Sequence, residues 1–162
     1  MVGGGNIDPW SSEQSTDYDR MIEQFGLTPM ELESFPNPGM LHRRGIVFAH
    51  RDLDVITDSI TKGDPFGVLT GLMPSGRMHL GHSMVIEQVR WFQEQGADVT
   101  VAVADLEALA TRGTPLSNGR ETALREYVLN YAALGLDSDK TSVYFQSSRP
   151  EVQRLAFTLG KR

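Results

Sequence analysis

Two histidines three positions apart stand at the start of a predicted helix. His79 and His82 follow a glycine-bearing loop and would both lie in the first helical turn. Residues with this spacing face the same side of a helix, so both imidazoles can reach one ligand. Backbone N–H groups at a helix start favour phosphate, and an imidazole can donate to a phosphate oxygen that gains charge during an in-line displacement. In an arbitrary helix such a pair is usually accidental or structural, but a strand, Pro-Ser-Gly, His-x-Gly-His and a helix in that order predict a nucleotide-phosphate site.

The loop before the histidines has the features of a nucleotide cradle. Gly71 and Gly76 permit tight turns and a close approach of a ligand to the backbone. Gly81 leaves a flat surface on which an adenine ring can lie, and Arg77 can meet a further phosphate oxygen. No Gly-Lys-Ser/Thr follows, so the loop is not a Walker A loop. Zinc is not indicated, because the chain has no cysteine and its other two histidines lie outside the loop.

Three apolar segments predict the sheet that would position this loop. They cover residues 66–71, 99–104 and 142–145, and nearly continuous apolar runs suit parallel strands covered by helices on both faces. The loop follows the first of them. The order strand, helix, strand, helix, strand predicts an α/β fold with a doubly wound parallel sheet, whose ligands bind at the carboxyl ends of the strands.

The helices between the strands are predicted from their apolar stripes. The first, over residues 81–95, carries Val85, Val89 and Phe92 on one face and stops at Gly96. The second begins at Thr114 or Asn118 and ends at Gly135. Its stripe consists of Leu124, Tyr127, Val128 and Tyr131.

The amino-terminal part has a different character. Residues 1–40 are rich in turn formers, with a short helix predicted over 17–25. A strand or extended segment is predicted over 45–49 and a helix over 52–62. The organisation changes near residue 64, which separates an amino-terminal segment over 1–63 from the predicted sheet and its helices over 64–147.

Residues 148–162 predict a last helix with an apolar stripe. Ser148 and Glu151 form a predicted capping pair. The stripe follows at helical spacing and consists of Val152, Leu155, Ala156 and Leu159. A second subunit or the chain's own domain would have to cover it.

Composition narrows the setting. Hydrophobic residues make up 40% and charged residues 22%, and no apolar run is long enough to cross a membrane. The absence of cysteine predicts a cytoplasmic protein. The net charge of −6 and the scarcity of lysine suit either a salt-rich cytoplasm or an ordinary acidic protein. An acidic chain argues against strong non-specific binding of nucleic acid, so an RNA partner would have to meet local patches.

The stretch from Pro74 to His82 resembles the H-I-G-H signature of class I aminoacyl-tRNA synthetases, in the form used by tyrosyl and tryptophanyl enzymes. Several other stretches are similar, in order and spacing, to the tryptophanyl branch of archaea and eukaryotes. They are residues 7–10 with 17–19, residues 43–52, the helix around Trp91, and residues 104–107. The resemblance spans nearly the whole chain. It implies an amino-terminal extension over 1–63, the first half of a Rossmann-like, nucleotide-binding class I catalytic domain over 64–147, and the start of a connecting insertion or dimer region over 148–162.

The resemblance also implies a reaction and its residues. The substrate ATP, bound with Mg²⁺, reacts with tryptophan to form an aminoacyl adenylate. The aminoacyl group is then transferred to tRNA(Trp). In that scheme His79 and His82 stabilise the transferring phosphate. The implied ATP contacts are Gly71, Pro74, Ser75, Gly76, Arg77, Met78, Leu80 and Gly81. The implied amino-acid contacts are Leu69, Thr70 and Glu107, with Glu107 on the loop after the second strand and paired with the α-amino group. Asp8, Pro9 and Trp10 form a candidate lid, or Trp10 anchors a terminal segment.

Two positions depart from the family's pocket. Leu69 stands where eukaryotic enzymes carry a tyrosine that touches the indole nitrogen, and Ala102 replaces a glutamine. A pocket without these hydrogen-bonding groups discriminates less sharply, so tyrosine stays an alternative substrate.

The family has a second signature, a lysine-rich K-M-S-K-S loop, and nothing in the chain corresponds to it. The chain is therefore expected to be a fragment of a longer enzyme and not to charge tRNA by itself. The resemblance further implies that this enzyme is a homodimer. Neither a resident metal nor a tightly bound cofactor is expected. The residues also leave open a small H-x-G-H nucleotidyltransferase and a non-catalytic binding module derived from a synthetase.

Overall fold

The computed structural model describes residues 17–33 and 35–160. The chain divides into two compact units between Lys62 and Gly63. The candidate lid residues Asp8, Pro9 and Trp10 lie outside the described residues, so the lid stays a prediction.

The described part of the first unit, residues 17–33 and 35–62, contains three helices and a two-stranded ribbon. In chain order these are α1 (Tyr18–Phe25), β1 (Thr28–Pro29), α2 (Met40–Arg43), β2 (Ala49–His50) and α3 (Leu53–Lys62). The predicted helices over 17–25 and 52–62 are confirmed. Asp17 caps α1, since its carboxylate accepts the backbone N–H of Arg20 at 3.0 Å. Strands β1 and β2 pair antiparallel.

The strand predicted over residues 45–49 is largely wrong. Only Ala49 of that segment belongs to β2, while Gly45 adopts a left-handed conformation with φ of 64°. The backbone N–H groups of Gly45 and Ile46 donate to carbonyls of α2, at 2.9 Å and 3.0 Å. These groups close the end of a helix and are therefore lost to a partner strand.

The second unit is a three-stranded sheet with helices. Its elements are β3 (Gly67–Leu72), α4 (Leu80–Glu94), β4 (Asp98–Val103), α5 (Asp105–Arg112), α6 (Leu116–Thr122), a π-helical segment (Ala123–Val128), α7 (Leu129–Ala133), β5 (Thr141–Phe145) and α8 (Pro150–Leu159). Short 3₁₀ turns cover Ser138–Lys140 and Gln146–Ser148. The sheet order is β3-β4-β5 and both pairings are parallel. The predicted α/β fold, the first half of a doubly wound parallel sheet, is confirmed.

The core lies between the sheet and the helices that follow β3 and precede β5. Central strand β4 buries Val99, Val101 and Val103, which are at most 2% exposed. Helix α4 contributes Ile86 and Val89 to the same cluster. Val89 of the predicted stripe is therefore confirmed and Phe92 is half-buried, but Val85 is 47% exposed and Ile86 is buried against the sheet in its place.

The long helix from α6 to α7 begins at Leu116, next to Pro115, which favours the earlier of its two predicted starts. Its buried residues are Gly119, Ala123, Tyr127 and Tyr131, whereas Leu124 is 45% exposed, against the prediction. The π-helical segment between α6 and α7 has wider turns than an α-helix, so the buried positions recur every four residues.

Two helix starts differ from the prediction. Glu107 lies in the first turn of helix α5 and not on a loop, because Asp105 and Glu107 suit a helix amino terminus. Helix α8 starts with Pro150, whose fixed φ suits the first helical position, and Ser148 does not cap it. All residues of α8 are at least partly exposed.

Across residues 17–33 and 35–160, none of the helices is long and apolar enough to cross a membrane.

Candidate functional site

The loop from β3 to α4 is held by two of its own side chains. Pro74 is fully buried, and its Cγ lies 3.6 Å from where a Cβ on Gly119 of α6 would stand. Met78 packs against the hydrophobic core. Between them Ser75 and Arg77 are exposed. The loop is thus anchored at both ends and open in the middle. The Pro74 ring packs against protein atoms and anchors the loop, so it is not exposed to a ligand.

The structure brings the two predicted catalytic histidines together. His79 immediately precedes α4 with an extended backbone, and His82 lies in the first turn of that helix. Their ring centroids are 4.0 Å apart. His79 is exposed and His82 is half-buried. The pair lies beyond the carboxyl end of β3, the edge at which doubly wound sheets bind ligands.

The hydrogen bonding of His82 fixes its tautomer. The backbone N–H of His79 donates to Nδ1 of His82 at 3.2 Å. A nitrogen that accepts carries no hydrogen, so the neutral ring carries its proton on Nε2. Burial lowers the pKa of His82, and the charge of neighbouring His79 lowers that pKa further. His82 is therefore a neutral imidazole whose Nε2–H can donate to a ligand oxygen.

Tyr127 packs against the ring of His82. The two rings meet edge to face, with centroids 5.3 Å apart, and Tyr127 is 1% exposed. Burial raises the pKa of Tyr127, and nearby Glu126 raises it further, so its hydroxyl keeps its proton. Because Tyr127 belongs to the π-helical segment, that irregular stretch positions a residue that touches the site.

Gly81 has a closer neighbour than the predicted adenine ring. A Cβ at this position would lie 3.1 Å from Cε1 and 3.2 Å from Nδ1 of His79. The imidazole of His79 thus covers the face that Gly81 leaves open, and any side chain at position 81 would displace it. Leu80, between them in sequence, is 79% exposed and presents an apolar surface beside the histidines.

The register of the sheet sorts the predicted amino-acid contacts. Leu69 pairs with Thr100 and Gly71 pairs with Ala102. Because side chains alternate along a strand, Leu69 and Ala102 share one face of the sheet while Thr70 points to the other. Leu69 is 71% exposed on that face. Leu69 and Ala102, the two residues that differ from the family's pocket, therefore lie on the same face of the sheet, and Thr70 lies on the opposite face.

Glu107 lies near the carboxyl end of β4, in the first turn of α5. Its carboxylate is exposed and has no ion pair within the described part of the chain. It is therefore available to a cationic ligand group. The same described ranges contain no group of three or more His, Cys, Asp or Glu side chains that could hold a metal ion.

Asp105 was missed by the sequence interpretation. This residue is 2% exposed and accepts hydrogen bonds from the backbone N–H groups of Leu106 and Ser147, at 3.1 Å and 3.0 Å, and from the Ser147 hydroxyl. The available signal was its position, as an acidic residue directly after a buried strand at the ligand-binding edge.

Comparison with known proteins places these features in a family. The chain is 45% identical over 158 residues to the tryptophan–tRNA ligase of Methanosarcina acetivorans, and the match covers 96% of this chain and 36% of that protein. The crystal structure of the tryptophanyl-tRNA synthetase from Aeropyrum pernix has a TM-score of 0.81 and 39% identity, covering 96% of this chain and 45% of that one. The enzyme from Encephalitozoon cuniculi, bound to tryptophan, has a TM-score of 0.72 and 28% identity, covering 82% of this chain and 42% of that one.

The chain thus spans less than half the length of these relatives. Residues 61–162, which include the histidine loop, the three parallel strands and Glu107, match the family of class I tRNA synthetases for tryptophan and tyrosine, and the chain belongs to that family.

Proposed function

We propose that this chain supplies the ATP-binding and tryptophan-binding part of a tryptophan–tRNA ligase. The observation that carries the proposal is the pair of adjoining imidazoles, His79 and His82, at the start of a helix on the ligand-binding edge of a parallel sheet. Its similarity to proteins named tryptophan–tRNA ligase over 96% of its length supports tryptophan as the amino acid. The family match does not favour the small nucleotidyltransferase or the non-catalytic module.

In the proposed first step, a carboxylate oxygen of tryptophan attacks the α-phosphorus of ATP bound with Mg²⁺. A bond forms between that oxygen and phosphorus, the bond to the bridging oxygen breaks, and pyrophosphate leaves. Nε2–H of His82 donates to a phosphate oxygen as its charge grows, and His79 adds a second donor beside it. Donors fixed in advance favour the transition state over bound ATP, because they need not reorganise as charge develops.

The remaining predicted contacts divide the substrates between two regions. Arg77, Ser75 and the main chain at Gly71, Gly76 and Gly81 would hold the nucleotide. The Glu107 carboxylate would pair with the α-ammonium group of the amino acid. Leu69 and Ala102 would form an apolar wall for the side chain, and neither gives a hydrogen bond to an indole nitrogen or a phenol. Selectivity must then come from shape and from residues elsewhere in the pocket.

Amino-acid-dependent pyrophosphate exchange by the complete gene product tests the proposal. We expect exchange with tryptophan, and at most a small fraction of that rate with tyrosine. The 162-residue chain alone is expected to bind ATP weakly and to transfer no tryptophan to tRNA. Equal exchange with tyrosine would replace the proposed substrate, and no exchange with either amino acid would remove the proposed activity.

We further propose that the protein is a homodimer that acts in the cytoplasm without a tightly bound cofactor. Helix α8 supports the dimer, because Leu155 and Leu159 on its apolar stripe are 59% and 66% exposed. The double substitution Leu155→Glu and Leu159→Glu should convert the complete gene product to monomers, and light scattering measures the molar mass. Arg154→Glu, on the same helix but off the stripe, is the matched control. An unchanged dimer in the Leu155 and Leu159 variant would exclude α8 as the interface.

A further inference from the structure

We propose that Asp105 is a positioning residue for amino-acid binding, because it fixes the first turn of α5 and with it Glu107. The proposal rests on the proposed function, in which Glu107 pairs with the α-ammonium group. Asp105 itself makes no contact with substrate and acts through the connection between the carboxyl ends of β4 and β5.

Asp105 ties two strand ends together. It begins α5 directly after β4 and Ala104, whereas Ser147 lies in the 3₁₀ turn that follows β5. One carboxylate oxygen accepts the backbone N–H of Ser147 at 3.0 Å and that of Leu106 at 3.1 Å. The other accepts the Ser147 hydroxyl at 2.5 Å. Both oxygens are thus used, and the start of α5 is attached to a segment 42 residues away.

The carboxylate is held without a cation. Asp105 is 2% exposed and belongs to none of the ion pairs found among residues 17–33 and 35–160. At the amino-terminal end of α5, its two oxygens accept hydrogen bonds from three donors. Removing it would leave donors on the half-buried residues Leu106 and Ser147 without their acceptor, which favours movement of the first turn toward water.

Glu107 depends on that turn for its position. It lies two residues after Asp105, and its exposed carboxylate has no ion pair in the described part of the chain. Its main chain is held within the helix, since the Glu107 carbonyl accepts the Thr111 hydroxyl at 2.8 Å. The backbone of the turn therefore sets where the Glu107 carboxylate stands before the substrate arrives.

A double-mutant cycle in the complete gene product tests this dependence. Asp105→Ala should raise the KM for tryptophan about tenfold, while the KM for ATP changes less than about twofold, because a tenfold change matches the usual coupling between neighbouring residues. Asp105→Asn keeps a carbonyl oxygen for the amides and should retain most of the affinity. In a Glu107→Gln background, Asp105→Ala should add little, since the group it positions is already gone.

The outcomes separate this proposal from the proposed function. Additive effects of Asp105→Ala and Glu107→Gln, or equal changes in both KM values, would show a purely structural role and overturn the proposal. If Glu107→Gln leaves the tryptophan KM unchanged, the positioning role fails, whereas tryptophan-dependent exchange by the unaltered protein would still support the proposed function. Should Asp105→Ala not fold, the same cycle run with Ser147→Ala, which keeps the carboxylate, decides the question.

Discussion

Helices α2 and α4 begin with the same hydrogen bond, in which a backbone N–H donates to a histidine three residues later, but the two histidines lie in different surroundings. In α2 the backbone N–H of Gly39 donates to Nδ1 of His42 at 3.0 Å, and in α4 the N–H of His79 donates to Nδ1 of His82 at 3.2 Å. In both helices the imidazole satisfies an amide that the helix leaves unpaired. Burial lowers the pKa of both histidines, and a neighbouring group lowers each further, Arg43 in one case and His79 in the other.

The surroundings of the two imidazoles differ. His42 is 3% exposed and lies against Phe35, with ring centroids 4.8 Å apart. His82 is half-buried, lies against a second imidazole, and follows a parallel strand at its carboxyl end. The local contact makes a histidine a good helix start in both units. What the ring can then do depends on whether it is enclosed by protein, as His42 is, or partly open at the edge of a sheet, as His82 is.

The largest expected effect is on the rate of adenylate formation when a histidine at the start of α4 is removed. His79→Ala or His82→Ala in the complete gene product should slow adenylate formation by about 10²–10³, with a smaller effect on ATP binding, because such donors act mainly on transition-state charge. Rapid-quench measurement of adenylate formation checks this. His42→Ala is the control and should leave the rate nearly unchanged. An ATP affinity that collapses while the chemical step stays fast would contradict the assignment.

Removal of His42 at the start of α2 should lower the stability of the protein and not the rate of adenylate formation. His42→Ala removes a buried ring and the acceptor for Gly39, which should lower the free energy of unfolding by about 1–3 kcal/mol. Denaturant unfolding measures the loss. His79→Ala serves as the reference, since His79 is exposed and its removal should cost little stability. If the two variants lost equal stability, the contrast between a structural and a functional histidine would not hold.

A smaller effect is expected from the residue that packs on His82. Tyr127→Leu should slow adenylate formation by about two- to tenfold, because an aromatic pair contributes about 0.5–1.5 kcal/mol beyond its buried area. Tyr127→Phe keeps the ring and should stay near the parent rate. Single-turnover kinetics of both variants give the answer. A Phe variant as slow as the Leu variant would move the effect from the ring to the hydroxyl.

The smallest effect concerns pH. Both histidines have a pKa below the ordinary value of 6.5 in the folded state, so the unfolded chain binds more protons and stability rises with pH. Their contribution is present above about pH 6.5 and is lost as the pH falls through the lowered pKa values. His42→Ala should flatten this acid loss more than His82→Ala, because His42 is the more buried. Unfolding curves measured between about pH 5 and pH 7.5 compare the two slopes.

Much of the fold could be predicted from periodicity alone. The three strands, helices α1, α3, α4 and α8, and the parallel order follow from apolar runs, glycine stops and helical spacing, which are local properties of the chain. Helix α5 was missed because an acidic start after a strand is typical of a ligand loop as well as of a helix. One position of the α4 stripe was wrong, because Val85 and Ile86 are both apolar and only packing on the β4 valines selects Ile86.

The candidate site divides in the same way. Sequence by itself determined that His79 and His82 share a helix start after a strand, since spacing and order suffice for that. Only the tertiary structure decided that the His82 ring carries its proton on Nε2, that His79 covers Gly81, that Pro74 is an anchor, and that Asp105 joins the ends of β4 and β5. These features depend on groups that are distant in the chain or on the direction of a side chain. A pattern of residue types fixes neither, because burial and hydrogen-bond partners are set when the elements pack together.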